Sequence, residues 1–111
     1  MAREVTPPEL DALGDVQFVD IRTPEERDAG RIPDDGGHIP FDELQARASE
    51  LDRDRPVVFY CLSGNRSAIA ADAFAASGFD AAHLAGGIQA WSAAGRPIEG
   101  EIGNPSGLPP R

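Results

Sequence analysis

Four consecutive apolar residues, Val57-Val58-Phe59-Tyr60, follow Pro56 with no polar residue among them. A half-buried strand alternates apolar and polar side chains, so an unbroken run of this length suits a strand covered on both faces. Strands of that kind belong to parallel sheets, whose connections must cross over the sheet, usually as helices. Val16-Gln17-Phe18-Val19-Asp20-Ile21, entered from a Gly14-Asp15 turn, reads as a second strand, and Ala81-Ala82-His83-Leu84 as a weaker third. Helical patterns lie between them. Thr6 with Glu9, and Thr23 with Glu26, each form a capping-box pair around a proline at the first helical position. Asp42–Leu51 carries Leu44, Ala48 and Leu51 on one face. Ser67–Ser77 is alanine-rich, with Ile69, Ala70, Ala73 and Phe74 on one side, and Gly78 ends it. Ile88–Ala94 makes a last helix before Gly95 and Pro97. Strands alternating with helices predict an α/β fold of three layers, α/β/α, around a central, mainly parallel sheet.

A chain of 111 residues suits one domain. Residues 1–99 are expected to form it. Residues 100–111 hold three glycines, three prolines and little apolar matter, and are expected to be a loosely ordered tail. No apolar run approaches the roughly 20 residues of a membrane span, and the first residues lack a secretory segment, so a soluble, cytoplasmic protein is expected. Nineteen acidic residues against ten basic give a net charge of −9, which argues against a nucleic-acid partner. A single cysteine, Cys61, excludes an internal disulfide and a thiolate metal cluster, leaving either inert core filler or a reactive thiol.

The position of Cys61 favours the reactive thiol. It directly follows the most buried strand, and open parallel sheets bind ligands beyond the carboxyl ends of their strands. Cys61-Leu62-Ser63-Gly64-Asn65-Arg66 then leads into the helix expected near Ser67. Gly64 and Asn65 tolerate left-handed backbone angles, so the loop can curl and aim several N–H groups at one point ahead of the helix. Arg66 adds a cation with several donors. These donors favour the thiolate, the nucleophilic form, and would also hold a persulfide, Cys61–S–S⁻, and an anionic donor facing it. The plainer alternative is a buried strand-end cysteine before an ordinary turn.

The loop Cys61-Leu62-Ser63-Gly64-Asn65-Arg66-Ser67 resembles that of the rhodanese family of sulfurtransferases. The likeness runs over about residues 4–97. Glu4-Val5-Thr6 with Glu9-Leu10 looks like the family's opening strand and helix. Val19-Asp20-Ile21-Arg22 followed by Glu25-Glu26 looks like its first signature. Gly30-Arg31-Ile32-Pro33 and His38-Ile39-Pro40-Phe41 look like its paired isoleucine–proline segments. Leu84-Ala85-Gly86-Gly87-Ile88, Trp91 and the Gly95/Pro97 pair look like its C-terminal signature. The resemblance implies a rhodanese-like sheet of about five strands and a thiosulfate-type sulfurtransferase. Cys61 would be its nucleophile, with Leu62, Ser63, Gly64, Asn65, Arg66 and Ser67 binding the substrate.

In that reading Cys61 takes the outer sulfur of a small anionic donor, such as thiosulfate or a persulfide. It then passes the sulfur to cyanide, a small thiol or a protein thiol, with no cofactor beyond the covalent persulfide. Two departures from the family pattern bear on the donor. Asp34-Asp35-Gly36-Gly37 is one residue longer than usual and acidic, and Leu62 stands where relatives often carry a basic residue. Both are expected to disfavour dianionic donors, and the Asp34-Asp35 loop is a candidate gate. The alternatives are a non-catalytic rhodanese-like binding or sulfur-delivery module for a protein partner and, further off, a phosphatase or arsenate reductase. Phosphatases of related fold place one residue more between cysteine and arginine than the four found here. Asp20 and Arg22 are read as structural, with Arg22 pairing with Glu26 and Asp20 holding a neighbouring loop. His38 and His83 stand in no ligand spacing, and no metal is expected. Leu84, Ile88 and Trp91 are read as core. Ser67 either donates to the Cys61 sulfur or caps its helix.

Overall fold

The computed structural model describes residues 3–102. Its elements, in chain order, are β1 (Arg3–Val5), α1 (Pro7–Leu13), β2 (Gln17–Asp20), α2 (Pro24–Ala29) and β3 (Gly30–Arg31). They continue with β4 (Val57–Tyr60), α3 (Asn65–Ala76), β5 (Ala81–Leu84), α4 (Gly87–Ala93) and β6 (Glu99–Gly100). The main sheet runs β1-β5-β4-β2, parallel throughout. A parallel bridge between Asp20 and His38 continues it past β2, so a rudimentary fifth position borders the four strands. β3 and β6 pair antiparallel in a separate ribbon.

Strand β4 lies between β2 and β5, and its four residues are fully buried. Successive side chains leave a strand on opposite faces, and β4 divides accordingly. Val57, Phe59 and Cys61 join Val19, Leu44, Ala70, Ala71 and Phe74 on one face. Val58 and Tyr60 join Leu10, Phe18, Leu84, Ile88 and Trp91 on the other. Thus α3 covers one face while α1 and α4 cover the second, which is the three-layer arrangement expected. Burial of each large β4 side chain contributes about 1.5–3 kcal/mol.

Both capping boxes form: Thr6 and Glu9 exchange backbone and side-chain hydrogen bonds at the start of α1, and Thr23 and Glu26 do so at α2. The segment expected as one helix over Asp42–Leu51 is instead two short 3₁₀ turns, Phe41–Glu43 and Ala48–Glu50. Neither turn has a capping side chain, and of the expected apolar face only Leu44 is fully buried. A helix this short is marginal without packing along its length. In α3 the buried face is Ser67, Ala70, Ala71 and Phe74, so Ile69 and Ala73, placed on that face from the sequence, are exposed. The helix begins two residues earlier than expected, at Asn65. At the other end, Gly100 is held in the β6 pairing and the Glu101 amide donates to the Ala29 carbonyl. Ile102 packs against the second cluster. Residues 103–111 of the expected tail lie outside the described residues. No described helix is long and apolar enough to cross a membrane.

Tyr60 ends β4 with its hydroxyl in the interior. It donates to Asp35 at 2.6 Å and accepts from the Ile32 amide at 3.3 Å. Tyr60→Phe leaves both partners short of a hydrogen bond and is expected to cost about 1–3 kcal/mol. A urea midpoint unchanged from wild type would show that this hydroxyl contributes nothing.

Candidate active site

Cys61 follows β4 directly, so its side chain takes the next turn of the alternation and points to the α3 side. There the loop brings donors to it. The Gly64 amide donates to Sγ at 3.1 Å and the Ser67 amide at 3.4 Å, and the Ser67 hydroxyl lies 3.4 Å from the same sulfur. The hydroxyl also lies 3.3 Å from the Gly64 carbonyl. It has one hydrogen for two acceptors, so an anionic sulfur draws that hydrogen and a protonated one leaves it to the carbonyl. Cys61 is buried, 1% exposed, at the first turn of a twelve-residue helix whose N-terminus carries partial positive charge.

Two glycines make the loop possible. Gly64 precedes α3 in the left-handed region, φ 105°. Asn65, expected to share that conformation, is already the first helical residue. Gly87 has φ 62°, and a Cβ there would stand 2.5 Å from the Cys61 and Leu62 carbonyl oxygens. Those carbonyls accept from the Ile88 and Gln89 amides at 2.9 and 3.1 Å, so the first turn of α4 clamps the Cys61 loop from behind. This clamp was not assigned from sequence. The adjacent Gly86-Gly87 pair was its visible signal, because two consecutive glycines before a helix commonly mark a close backbone approach.

The other loop residues separate. Leu62 turns to the opposite face and packs with the Val58 and Tyr60 cluster, while Ser63 and Asn65 are exposed. Arg66 turns to Glu26 in a bidentate ion pair of 2.8 and 3.0 Å. The expected Arg22–Glu26 side-chain pair is therefore absent; Arg22 instead grips Asp20 through two contacts of 2.9 Å and the Gly30 carbonyl at 2.6 Å. Arg27 bridges Asp20 at 3.2 Å and Asp35 at 2.9 Å. Asp35, expected to lend negative charge to the site, is thus spent on Arg27 and Tyr60, with Asp34 left exposed at φ 60°. The sequence reading missed this Asp20–Arg22–Arg27–Asp35 cluster, whose one local signal is a tyrosine ending a doubly buried strand and needing a partner for its hydroxyl. His38 Nε2 lies 2.7 Å from the Arg22 carbonyl, and His83 is buried in β5. Among the described residues, no three His, Cys, Asp or Glu side chains converge as metal ligands.

The electrostatics follow these pairings. Hydrogen bonds from Arg66 hold the Glu26 carboxyl at about 2, despite partial burial, with help from Thr23. The Glu26 hydrogen bonds likewise raise Arg66. Burial works against the charge of Arg22, but its hydrogen bonds to Asp20 prevail and raise it. Burial and the facing Asp20 and Asp35 push the Tyr60 phenol far up, so it stays a donor.

The fold is shared with known proteins. The family model for the rhodanese-like domain matches residues 7–94. This chain belongs to the rhodanese-like domain family. A sulfurtransferase of Allochromatium vinosum is 45% identical over 85 residues, 76% of this chain and 78% of that protein. The crystal structure of a rhodanese-related protein from Thermoplasma volcanium superposes with a TM-score of 0.80 at 31% identity, covering 89% of this chain and 99% of that one. A rhodanese-like domain protein from Staphylococcus aureus gives 0.76 at 31% identity, covering 89% and 98%.

Two outcomes test this description. Gly87→Ala forces a side chain into the left-handed region and against two carbonyls. It is expected to cost about 1–3 kcal/mol and to shift the amide resonances of the Cys61 loop; unchanged stability would remove the clamp. Glu26 has its folded value below its ordinary 4.5, so its pairing stabilises the fold above that pH and is lost as pH falls toward about 2. Urea midpoints of wild type and Glu26→Gln should differ at neutral pH and converge in acid, and a gap that is constant with pH would contradict the pairing.

Proposed function

We propose that this protein is a sulfurtransferase that carries sulfane sulfur as a persulfide on Cys61. The observation that carries the reading is the cradle around Sγ, two backbone N–H groups and one hydroxyl within 3.4 Å. Such a cradle suits an anionic sulfur twice over, first as the attacking thiolate and then as the persulfide. Family membership and a relative called a sulfurtransferase support the same reaction class.

In the loading step the Cys61 thiolate attacks the outer sulfur of a donor. A sulfur–sulfur bond to Cys61 forms, the donor's own sulfur–sulfur bond breaks, and the leaving group departs with the electron pair. Thiosulfate would release sulfite; a thiol persulfide would release the thiolate. In the unloading step a thiophilic acceptor attacks the terminal sulfur and restores the Cys61 thiolate, with cyanide leaving as thiocyanate and a thiol as its persulfide. No general base, metal or organic cofactor takes part in this scheme. A small thiol, cyanide or a protein thiol can each serve as the acceptor. A reducing, cytoplasmic setting, where a lone thiol stays free, belongs to the proposal. Phosphoryl transfer is less well supported, because Arg66, the side chain that would face a phosphoryl group, is committed to Glu26.

Intact-mass spectrometry of the reduced protein tests this. Incubation with a sulfane-sulfur donor is expected to add one sulfur mass, cyanide to remove it, and Cys61→Ser to abolish the gain while keeping the far-UV spectrum. A Cys61→Ser protein that still loads sulfur would end the mechanism.

A further inference from the structure

The charge around the loop narrows the donor. Three arginines meet near the carboxyl ends of β2 and β4, and each is matched by carboxylate: Arg22 by Asp20, Arg27 by Asp35 and Asp20, and Arg66 by Glu26. Arg66 is the guanidinium that the loop itself supplies, and both of its terminal nitrogens face Glu26 oxygens. Glu26 is fixed in turn, since one of its oxygens also accepts the Thr23 amide of the capping box at 3.0 Å. The pair is therefore built into the start of α2. Leu62, which carries no charge, packs into the core and offers the site nothing cationic.

A cavity of about 290 Å³ opens at Arg66. Pro40 and Phe41 contribute apolar surface to it, and its other charged lining residues are Asp42 and Glu43. A dianion such as thiosulfate approaching Arg66 from this cavity would pass Asp42 and Glu43, the latter paired with Arg47, and meet an arginine already neutralised by Glu26. Like charges repel, and the half-buried Glu26 beside Arg66 is screened less by water than Asp42 and Glu43, which face solvent. A thiol persulfide places at most one negative charge on its sulfurs, which the Gly64 and Ser67 donors accept, and its carbon chain fits an apolar wall.

Resting on the persulfide-carrier reading above, we propose that Glu26 is the specificity-determining residue of the site: by occupying Arg66 it excludes dianionic donors and selects the persulfide of a low-molecular-weight thiol. Loading then runs as Cys61–S⁻ plus R–S–SH giving Cys61–S–SH plus R–S⁻. The bond to the terminal sulfur forms as the bond between the two donor sulfurs breaks, the proton stays on the transferred sulfur, and the thiolate leaves with the electron pair. No oxidant or reductant is consumed. Glu26 touches neither sulfur; it positions Arg66 and offsets its charge.

The test compares loading rates of full-length protein with two probes, thiosulfate and the hydropersulfide of 2-mercaptoethanol, followed by intact mass. Wild type is expected to favour the persulfide in kcat/KM by about tenfold or more, the scale of one unfavourable charge contact. Glu26→Gln keeps an oxygen for the Thr23 amide while freeing the Arg66 charge, so the ratio of thiosulfate to persulfide kcat/KM should rise about tenfold, mainly through a lower KM for thiosulfate. Added salt should shrink that gain, and Glu26→Asp, which restores the charge, should restore the preference. Because the readout is a ratio between donors, a merely structural loss would lower both rates together and leave it unmoved. An unmoved ratio in Glu26→Gln, or a wild type that prefers thiosulfate, overturns the proposal while sulfur loading of Cys61 still upholds the carrier reading. Loading by neither probe would end the carrier reading and the proposal with it.

Discussion

Strand β4 is covered on both faces, and most of what this domain does follows from that one constraint. A strand with no solvent face must send alternate side chains into two separate cores, and Val57, Phe59 and Cys61 enter one while Val58, Tyr60 and Leu62 enter the other. The alternation runs past the end of the strand. It delivers the Cys61 sulfur to the side where α3 begins, and the Tyr60 hydroxyl to the side where Asp35 and Ile32 wait. A shift of one residue in register would exchange these faces and bury the sulfur away from its donors. Packing and chemistry are thus set by the same parity.

The second requirement is backbone closeness. The Cys61 loop is held from ahead by the curl at Gly64 and from behind by the first turn of α4, whose amides take the Cys61 and Leu62 carbonyls. Holding the carbonyls outward leaves the Gly64 and Ser67 N–H groups free to face the sulfur. This division satisfies the backbone groups of a buried loop, as any buried turn must, and it fixes the cradle without a ligand. Preorganised donors of this kind need little rearrangement when charge arrives.

Beneath the loop lies a cluster of paired charges. Asp20 is fully buried and accepts from Arg22 and Arg27, while Asp35 accepts from Arg27 and Tyr60. Removing one member would strand its partner in a low dielectric, the costly case for buried ion pairs. The cluster ties α2 and the 30–38 segment to the ends of β2 and β4, and α2 in turn presents Glu26 to Arg66. The same tie explains why the acidic loop does not act as a source of free negative charge: Asp35 faces inward to Arg27, Tyr60 and the Gly37 amide, and only Asp34 remains outside.

The sequence by itself determined most of the elements and where the lone cysteine falls among them. The unbroken run at residues 57–60, the two capping boxes at Thr6 and Thr23, and the cysteine placed between a buried strand and a helix are local signals, because periodicity, capping and turn chemistry act over a few residues. Tertiary structure alone decided which side chains meet. Arg66 pairs with Glu26 forty residues away, Tyr60 with Asp35 twenty-five residues away, and Gly87 closes on Cys61 across twenty-six residues of chain. Contacts at such separations leave no periodic trace; they exist because parallel strands bring their carboxyl ends together and the helices between them carry their polar ends to the same edge. The ten-residue segment at 42–51 shows the limit from the other side. Its apolar spacing suits a helix, but with one fully buried anchor at Leu44 the packing holds only two short turns, since a short helix draws its stability from the surface it buries.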